Sequence, residues 1–314
     1  MKKPLLFIIV WLGLAFTGFA QSTNKIFTSD IDNFWNAFDH IQSTKDYSKK
    51  LQYIRTLYID KGTKGLKAFM AARDYNDTLY VNLIDRLPKF WHSIRPNTLH
   101  IKNKTNELKD AIKSLKRLYP GLKDAAMYFT IGGLRSGGTV TNRMVLVGAE
   151  IATGDSTIDM SEFKSNWLKK VFAKQSIDNI VFLNIHEYIH TQQMGEGKTL
   201  LSKSINEGAC DFIAEMTTQK PIKTSYQTYG QAHNKEIKAL FKKQMHSNNY
   251  SDWLYNGSHA KTCADLGYYV GYQICKSYFD HTKNKRNAIQ NIICLDYDNA
   301  QAVDSFLFQS QYFN

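Results

Sequence analysis

The stretch Asn184-Ile185-His186-Glu187-Tyr188-Ile189-His190 carries the pattern H-E-x-x-H. Histidines four apart project from one face of a helix, so the pair can hold a single metal ion. The glutamate after the first histidine then stands beside that ion, where it can take a proton from a water and pass it to a leaving group. Val181, Ile185 and Tyr188 give the segment an apolar back. This spacing predicts a buried helix over 177–193 at the floor of a cleft. Two histidines satisfied by ordinary hydrogen bonds in a core helix would show the same spacing. With only 9 histidines in 314 residues, however, a chance match is roughly a one-in-a-hundred event.

Downstream lies Ser204-Ile205-Asn206-Glu207-Gly208-Ala209-Cys210-Asp211-Phe212. Zinc in a hydrolase takes three protein ligands and keeps one position open. Glu207 can supply the third from an antiparallel helix, after a turn around Gly195 and Gly197. Asp211, four residues later on the same face, can accept a hydrogen bond from the far nitrogen of a zinc histidine and so orient the ring. Gly208 and Ala209 would let this helix approach a neighbour closely. Ser204-x-x-Glu207 also reads as a capping box, in which Glu207 only closes a helix start. Cys210 reads as a small buried residue.

The two segments together resemble the gluzincin metallopeptidases, whose pattern is HExxH followed by ExxxD on a second helix. They resemble more closely the secreted bacterial families described only as predicted zinc-dependent proteases. Gly267-Tyr268-Tyr269-Val270-Gly271-Tyr272 is similar to the C-terminal signature of those families and of related gliding-motility lipoproteins. The resemblance covers about 126–280. It implies a mostly helical α+β fold, with a small sheet and a zincin-like region around the HExxH helix. It implies Zn2+ held by His186, His190 and Glu207, with Asp211 behind them and a zinc-activated water for which Glu187 is general base. A further donor against a developing oxyanion would be His259, Tyr268 or Tyr269, and the resemblance favours Tyr268. Two features depart from the pattern. The spacing from His190 to Glu207 is shorter than in thermolysin-like enzymes, and no thermolysin-type specificity subdomain is visible.

Outward from the motifs, the segment 28–120 reads as helical. Ile31, Phe34, Trp35, Phe38 and Ile41 recur at helical spacing behind Asp30. Amphipathic helices are expected over 79–91 and 108–118, punctuated by Pro96 and Pro120. The texture changes at 126–151. Ala126 to Ile131 and Met144 to Val147 read as strands, and Leu134-Arg135-Ser136-Gly137-Gly138-Thr139 as a hairpin-like loop lacking phosphate-loop spacing. By analogy, Met144 to Gly148 is expected to be the edge strand that lines the cleft and pairs with an extended peptide. Helices are expected again over 204–217 and near 233–246, 261–279 and 299–308. The domain reading is therefore a signal peptide at 1–20, a helical region at 21–120 and a zincin-like region at 121–314, the last two able to pack as one unit.

The signal reading rests on Lys2 and Lys3, an apolar run from Leu5 to Phe16, and small residues Gly18 and Ala20 at the −3 and −1 positions. The run is too short to span a bilayer, which takes about 20 apolar residues. Cleavage after Ala20 would leave Gln21 first, not a cysteine that could carry lipid. The chain is thus expected to be secreted or periplasmic. Lys+Arg 40 against Asp+Glu 28 gives a formal charge of +12, which suits a basic solvated surface or contact with an anionic envelope surface. No nucleic-acid motif accompanies it. A composition 43% hydrophobic and 13% aromatic excludes bulk disorder and fibrous repeats. Cys210, Cys263, Cys275 and Cys294 allow three complete pairings between which the sequence does not choose.

Three functions compete. The first is a secreted zinc metallopeptidase acting on a peptide or protein. The second is an envelope binding or assembly factor of gliding-motility type that keeps the fold without significant turnover. The third is a metallohydrolase acting on a non-peptide amide.

Overall fold

The computed structural model describes residues 25–173, 175–257 and 259–314. The segment read as a signal peptide, 1–20, lies outside them. The described chain opens with a short strand, β1 (Ile26–Phe27), and α1 (Ser29–Gln42). α1 buries Ile31, Phe34, Trp35, Phe38 and Ile41, the stripe that the 3.6-residue period marks. α2 (Tyr47–Tyr53) runs into a π-helical turn at Ile54–Ile59, and α3 (Lys64–Arg73) and α4 (Asp77–Arg86) follow.

α5 (Pro88–Leu118) corrects the expected punctuation. The helix expected over 79–91 breaks at Leu87, where Pro88 opens a new helix, and Pro96 then lies inside that helix. Proline in a helix interior loses one backbone bond and disfavours the helix by about 3 kcal/mol. Here a long apolar face outweighs it: Phe90, Trp91, Ile94, Ile101, Leu108, Ile112 and Leu115 are all buried.

Next come β2 (Ala126–Thr130), β3 (Gly138–Thr141) and β4 (Met144–Gly148), in a sheet of order β1-β2-β4-β3. β2 runs parallel to β1 and to β4, whereas β3 is antiparallel to β4. The edge strands are therefore β1 and β3, of which β3 borders α8, and β4 lies inside the sheet, contrary to the sequence reading. Gly138-Thr139-Val140-Thr141 has little apolar alternation to mark it. It pairs with β4 through its backbone, across a two-residue turn in which Asn142 and Arg143 are both left-handed, with φ of +44° and +57°, as tight hairpins require.

α6 (Ala149–Ala152), α7 (Trp167–Phe172) and a 3-10 turn at Ile177–Asn179 lead into α8 (Ile180–His190) and α9 (Leu200–Thr218). α10 (Ser225–Ala232), α11 (Asn234–Gln244), α12 (Leu266–His281), α13 (Lys285–Ile293) and α14 (Ala300–Ser310) complete a mostly helical α+β fold with a small four-stranded sheet. None of the described helices is long and apolar enough to cross a membrane.

Packing against their neighbours positions the motif helices. α8 packs on β3, β4 and α5, and α9 packs on α8 and α12. The α9–α12 contact is backbone against backbone. A Cβ on Gly208 would stand 2.0 Å from the Tyr272 nitrogen, and one on Gly271 would stand 1.6 Å from the Ser204 oxygen. The glycines of the Gly267–Tyr272 stretch thus serve helix packing, and they bring Tyr268 to the cleft beside α8. Cys210 and Cys275 are buried free thiols, and the Cys294 sulfur lies 3.1 Å from the Tyr119 hydroxyl.

Candidate metal centre

α8 ends at His190. The chain turns back through Gly195 and Gly197, left-handed with φ of +75° and +77°, a conformation glycine adopts without steric conflict. α9 then presents Glu207 to the two histidines. Nε2 of His186 and Nε2 of His190 are 3.1 Å apart. Oε2 of Glu207 lies 3.1 Å from the His190 Nε2 and 3.3 Å from the His186 Nε2. The ligand atoms of a tetrahedral zinc, bound at ~2.0–2.1 Å, stand about 3.3–3.4 Å apart. The triangle is therefore close to one face of such a site.

Each candidate ligand has its own outer contact. Nδ1 of His186 is 2.8 Å from Oδ1 of Asp211, whose other oxygen accepts from the Tyr226 hydroxyl at 2.8 Å. Nδ1 of His190 is 2.7 Å from Oε1 of Gln193, and Nε2 of Gln193 donates to the Asn206 carbonyl at 2.8 Å. Oε1 of Glu207 accepts from the Tyr255 hydroxyl at 2.6 Å. Asp211 and the amide oxygen of Gln193 are acceptors, so both rings place their proton on Nδ1. Two nitrogen lone pairs and a carboxylate oxygen then converge on one point. Such a cradle needs a cation in it, either a proton or a metal ion.

Charge within the site agrees. Burial opposes ionisation of Glu207, yet His190 and His186 hold its carboxyl well below the usual carboxylate range. Burial also disfavours charge on His186, but Asp211 and Glu207 overcome it and raise that ring well above its ordinary value. His190 is raised against burial by Glu207. The surroundings are arranged for positive charge between the rings and the carboxylate.

A second donor grouping exists, because ligand atoms of His186, His190 and Cys210 lie within 4.8 Å of one another. The Cys210 sulfur is 3.4 Å from Nδ1 of His190, the nitrogen that faces Gln193 and points away from Glu207. Burial raises the thiol well above its ordinary value, which opposes the thiolate that a metal takes. The Glu207 set fits better.

The structure lines one cleft of about 530 Å³ with His186, Glu187, His190, Glu207, Tyr255, Tyr268 and part of β3. Glu187 faces Gly138, where a Cβ would stand 3.3 Å from its Oε1. Tyr268 lies over the His186 ring, with centroids 6.1 Å apart and planes 21° apart. His259 is not brought to this cleft. It lines a different one of about 640 Å³, where Nε2 lies 3.3 Å from the Ser251 carbonyl. Nor is Glu207 a helix cap. α9 begins at Leu200, and its capping box is Thr199 with Ser202.

Gln193, Tyr226 and Tyr255 escaped the sequence reading. Only Gln193 left a local signal, three residues after His190 in the turn that follows α8. Tyr226 and Tyr255 arrive through tertiary folding alone.

Residues 20–312 match the family model described as gliding motility protein GldB. No curated protein and no solved structure matches the chain.

Proposed function

The chain belongs to the gliding motility protein GldB family, and on that premise we propose that it is an envelope factor of gliding-motility type that holds a metal ion between α8 and α9. The observation that carries this reading is the reach of the match. It runs from 20 to 312 and takes in both metal-site motifs. The basic, apolar and small-residue start of the sequence supports export to the envelope. The formal charge of +12 supports contact with anionic surfaces there.

His186, His190 and Glu207 would hold the ion, and two imidazole nitrogens with one carboxylate oxygen suit zinc. Held there, a zinc ion would supply Lewis-acid polarisation to an oxygen ligand. Asp211 and Gln193 keep both rings in the Nδ1–H form, which leaves each Nε2 lone pair free to bind.

One observation favours a second reading, a metallopeptidase. Structural zinc sites are closed by four protein ligands. Here three ligand atoms converge, and a further carboxylate, Glu187, lines the same cleft against the edge strand. In that reading an extended peptide or protein segment pairs with β3, and Glu187 takes a proton from a water and returns it to the leaving amine. Tyr268, over the His186 ring in the same cleft, would be the donor to a developing oxyanion. Assembly and turnover are separable by experiment. A gliding host deleted for the gene should lose surface spreading and regain it with the wild-type chain. A deletion strain that spreads normally would remove the motility reading.

A further inference from the structure

The two oxygens of Glu207 face different groups. Oε2 faces Nε2 of both histidines at 3.1 and 3.3 Å. Oε1 accepts the Tyr255 hydroxyl at 2.6 Å. Glu207 is buried, and no other described donor is hydrogen-bonded to Oε1.

Tyr255 reaches this oxygen from the irregular segment between α11 and α12, and its placement is imposed. Its backbone is left-handed, with φ of +57°. A residue with a Cβ keeps that conformation only where its surroundings require it. The residue is 55% exposed, so burial alone does not explain the position. Behind it, the Asn256 backbone N–H donates to Oδ1 of Asp265 at 3.3 Å, and the Asp265 N–H donates to Oδ1 of Asn256 at 2.8 Å. This reciprocal pair closes the segment into a loop. Asp265 is left-handed as well, with φ of +62°. The loop is left-handed at both ends and pinned across its base, and it delivers one phenol hydroxyl to one carboxylate oxygen.

We propose that Tyr255 is a positioning residue that keeps Glu207 a single-oxygen ligand and so keeps one coordination position open to an outside oxygen or anionic ligand. The inference rests on reading His186, His190 and Glu207 as the metal ligands. A carboxylate that binds through both oxygens counts as a fourth protein donor and moves the site towards the closed type. With the phenol hydroxyl present, Oε1 is occupied. Without it, Oε1 would lose its described hydrogen-bond donor and would be free to turn to a bound metal.

The test uses the full chain loaded with cobalt(II), whose visible absorption is strong with four donors and weaker with five. Wild type should take up one cobalt, absorb strongly and change its spectrum on titration with azide. Tyr255→Phe should melt with the wild type and still take up cobalt. Its absorption should weaken, and azide that saturates the wild type should no longer shift the spectrum. If the Phe variant folds poorly, Tyr255→Asn replaces it, since asparagine tolerates the left-handed backbone. A variant with wild-type absorption and azide response overturns the role of Tyr255 and leaves the metal site standing. Wild-type protein that binds no cobalt overturns the metal reading, and this inference with it.

Discussion

Nδ1 of His190 and Oε1 of Gln193 are 2.7 Å apart, and the other end of the Gln193 amide donates to the Asn206 carbonyl beside Glu207. One side chain thus sets the tautomer of one candidate ligand and ties it to the helix that carries another. The Asn206 carbonyl accepts only from the NH2 end, so the amide cannot flip without losing both contacts.

Asp211 does the same for His186 through a charged acceptor. Asp211→Ala should weaken metal binding by roughly 10–100-fold, the usual scale for a lost outer contact. Competition with a chelator of known affinity measures it. Tyr226→Phe, which removes the hydroxyl behind Asp211, should move affinity in the same direction and less far. Unchanged affinity in Asp211→Ala would reduce that residue to helix structure.

The close approach of α9 and α12 gives a stability prediction. Gly271→Ala would place a Cβ 1.6 Å from the Ser204 backbone oxygen. The helices must separate, at a loss of about 1–3 kcal/mol or more for overpacking. A thermal melt should show the variant well below the wild type, and metal affinity should fall with it because α9 carries Glu207. Gly257→Ala, where nothing lies within 4 Å, is the matched control and should melt normally. Equal melting of the two variants would remove the packing argument.

These sites also show what the sequence made legible. His186, Glu187, His190, Glu207 and Asp211 could be placed because helical spacing fixes which side chains share a face before any tertiary contact forms. α1 was legible for the same reason. β1 was not, since two residues carry no period, and β3 was hidden in a Gly-rich stretch whose pairing is made by backbone atoms. Pro96 was misread because local propensity was weighed without the apolar face that overrides it. His259 was misplaced for a related reason. A histidine in an irregular segment has no period to say which way it faces, and the same loop that carries His259 to another cleft brings Tyr255 to this one.

Glu150 gives a pH dependence. It is fully buried, and burial pushes its carboxyl up to about 7 against hydrogen bonds from the Gly132 and Leu134 backbone N–H groups. The folded protein holds this proton up to about pH 7, whereas the unfolded chain releases it near its ordinary value of 4.5. Its contribution to stability is present in full below that value and is lost as pH rises to about 7, a swing of about 3 kcal/mol. Glu150→Gln cannot titrate. Melts at pH 5, 6, 7 and 8 should show the wild type losing ground to the variant across this window and running parallel to it above. Parallel curves throughout would mean that Glu150 is already ionised at pH 5.

Glu187 decides between the two functional readings. It lines the cleft with the three candidate ligands, and its carboxylate faces Gly138 of the edge strand. Glu187→Gln keeps its size and removes its ability to take a proton. Metal content and melting temperature should match the wild type, because neither the ligand triangle nor its outer contacts involve this side chain. If the protein hydrolyses peptides, the variant should lose roughly 10²–10⁴-fold in rate, the scale of a lost general base. A peptide library assayed with both forms measures this, and the deletion host complemented with each form measures the biological consequence. Full restoration of gliding by the metal-loaded Gln variant would place the function in binding or assembly and set catalysis aside. Failure to restore it, with metal content and stability intact, would show that motility requires the Glu187 carboxylate, and a parallel loss of peptide hydrolysis would assign that requirement to proton transfer.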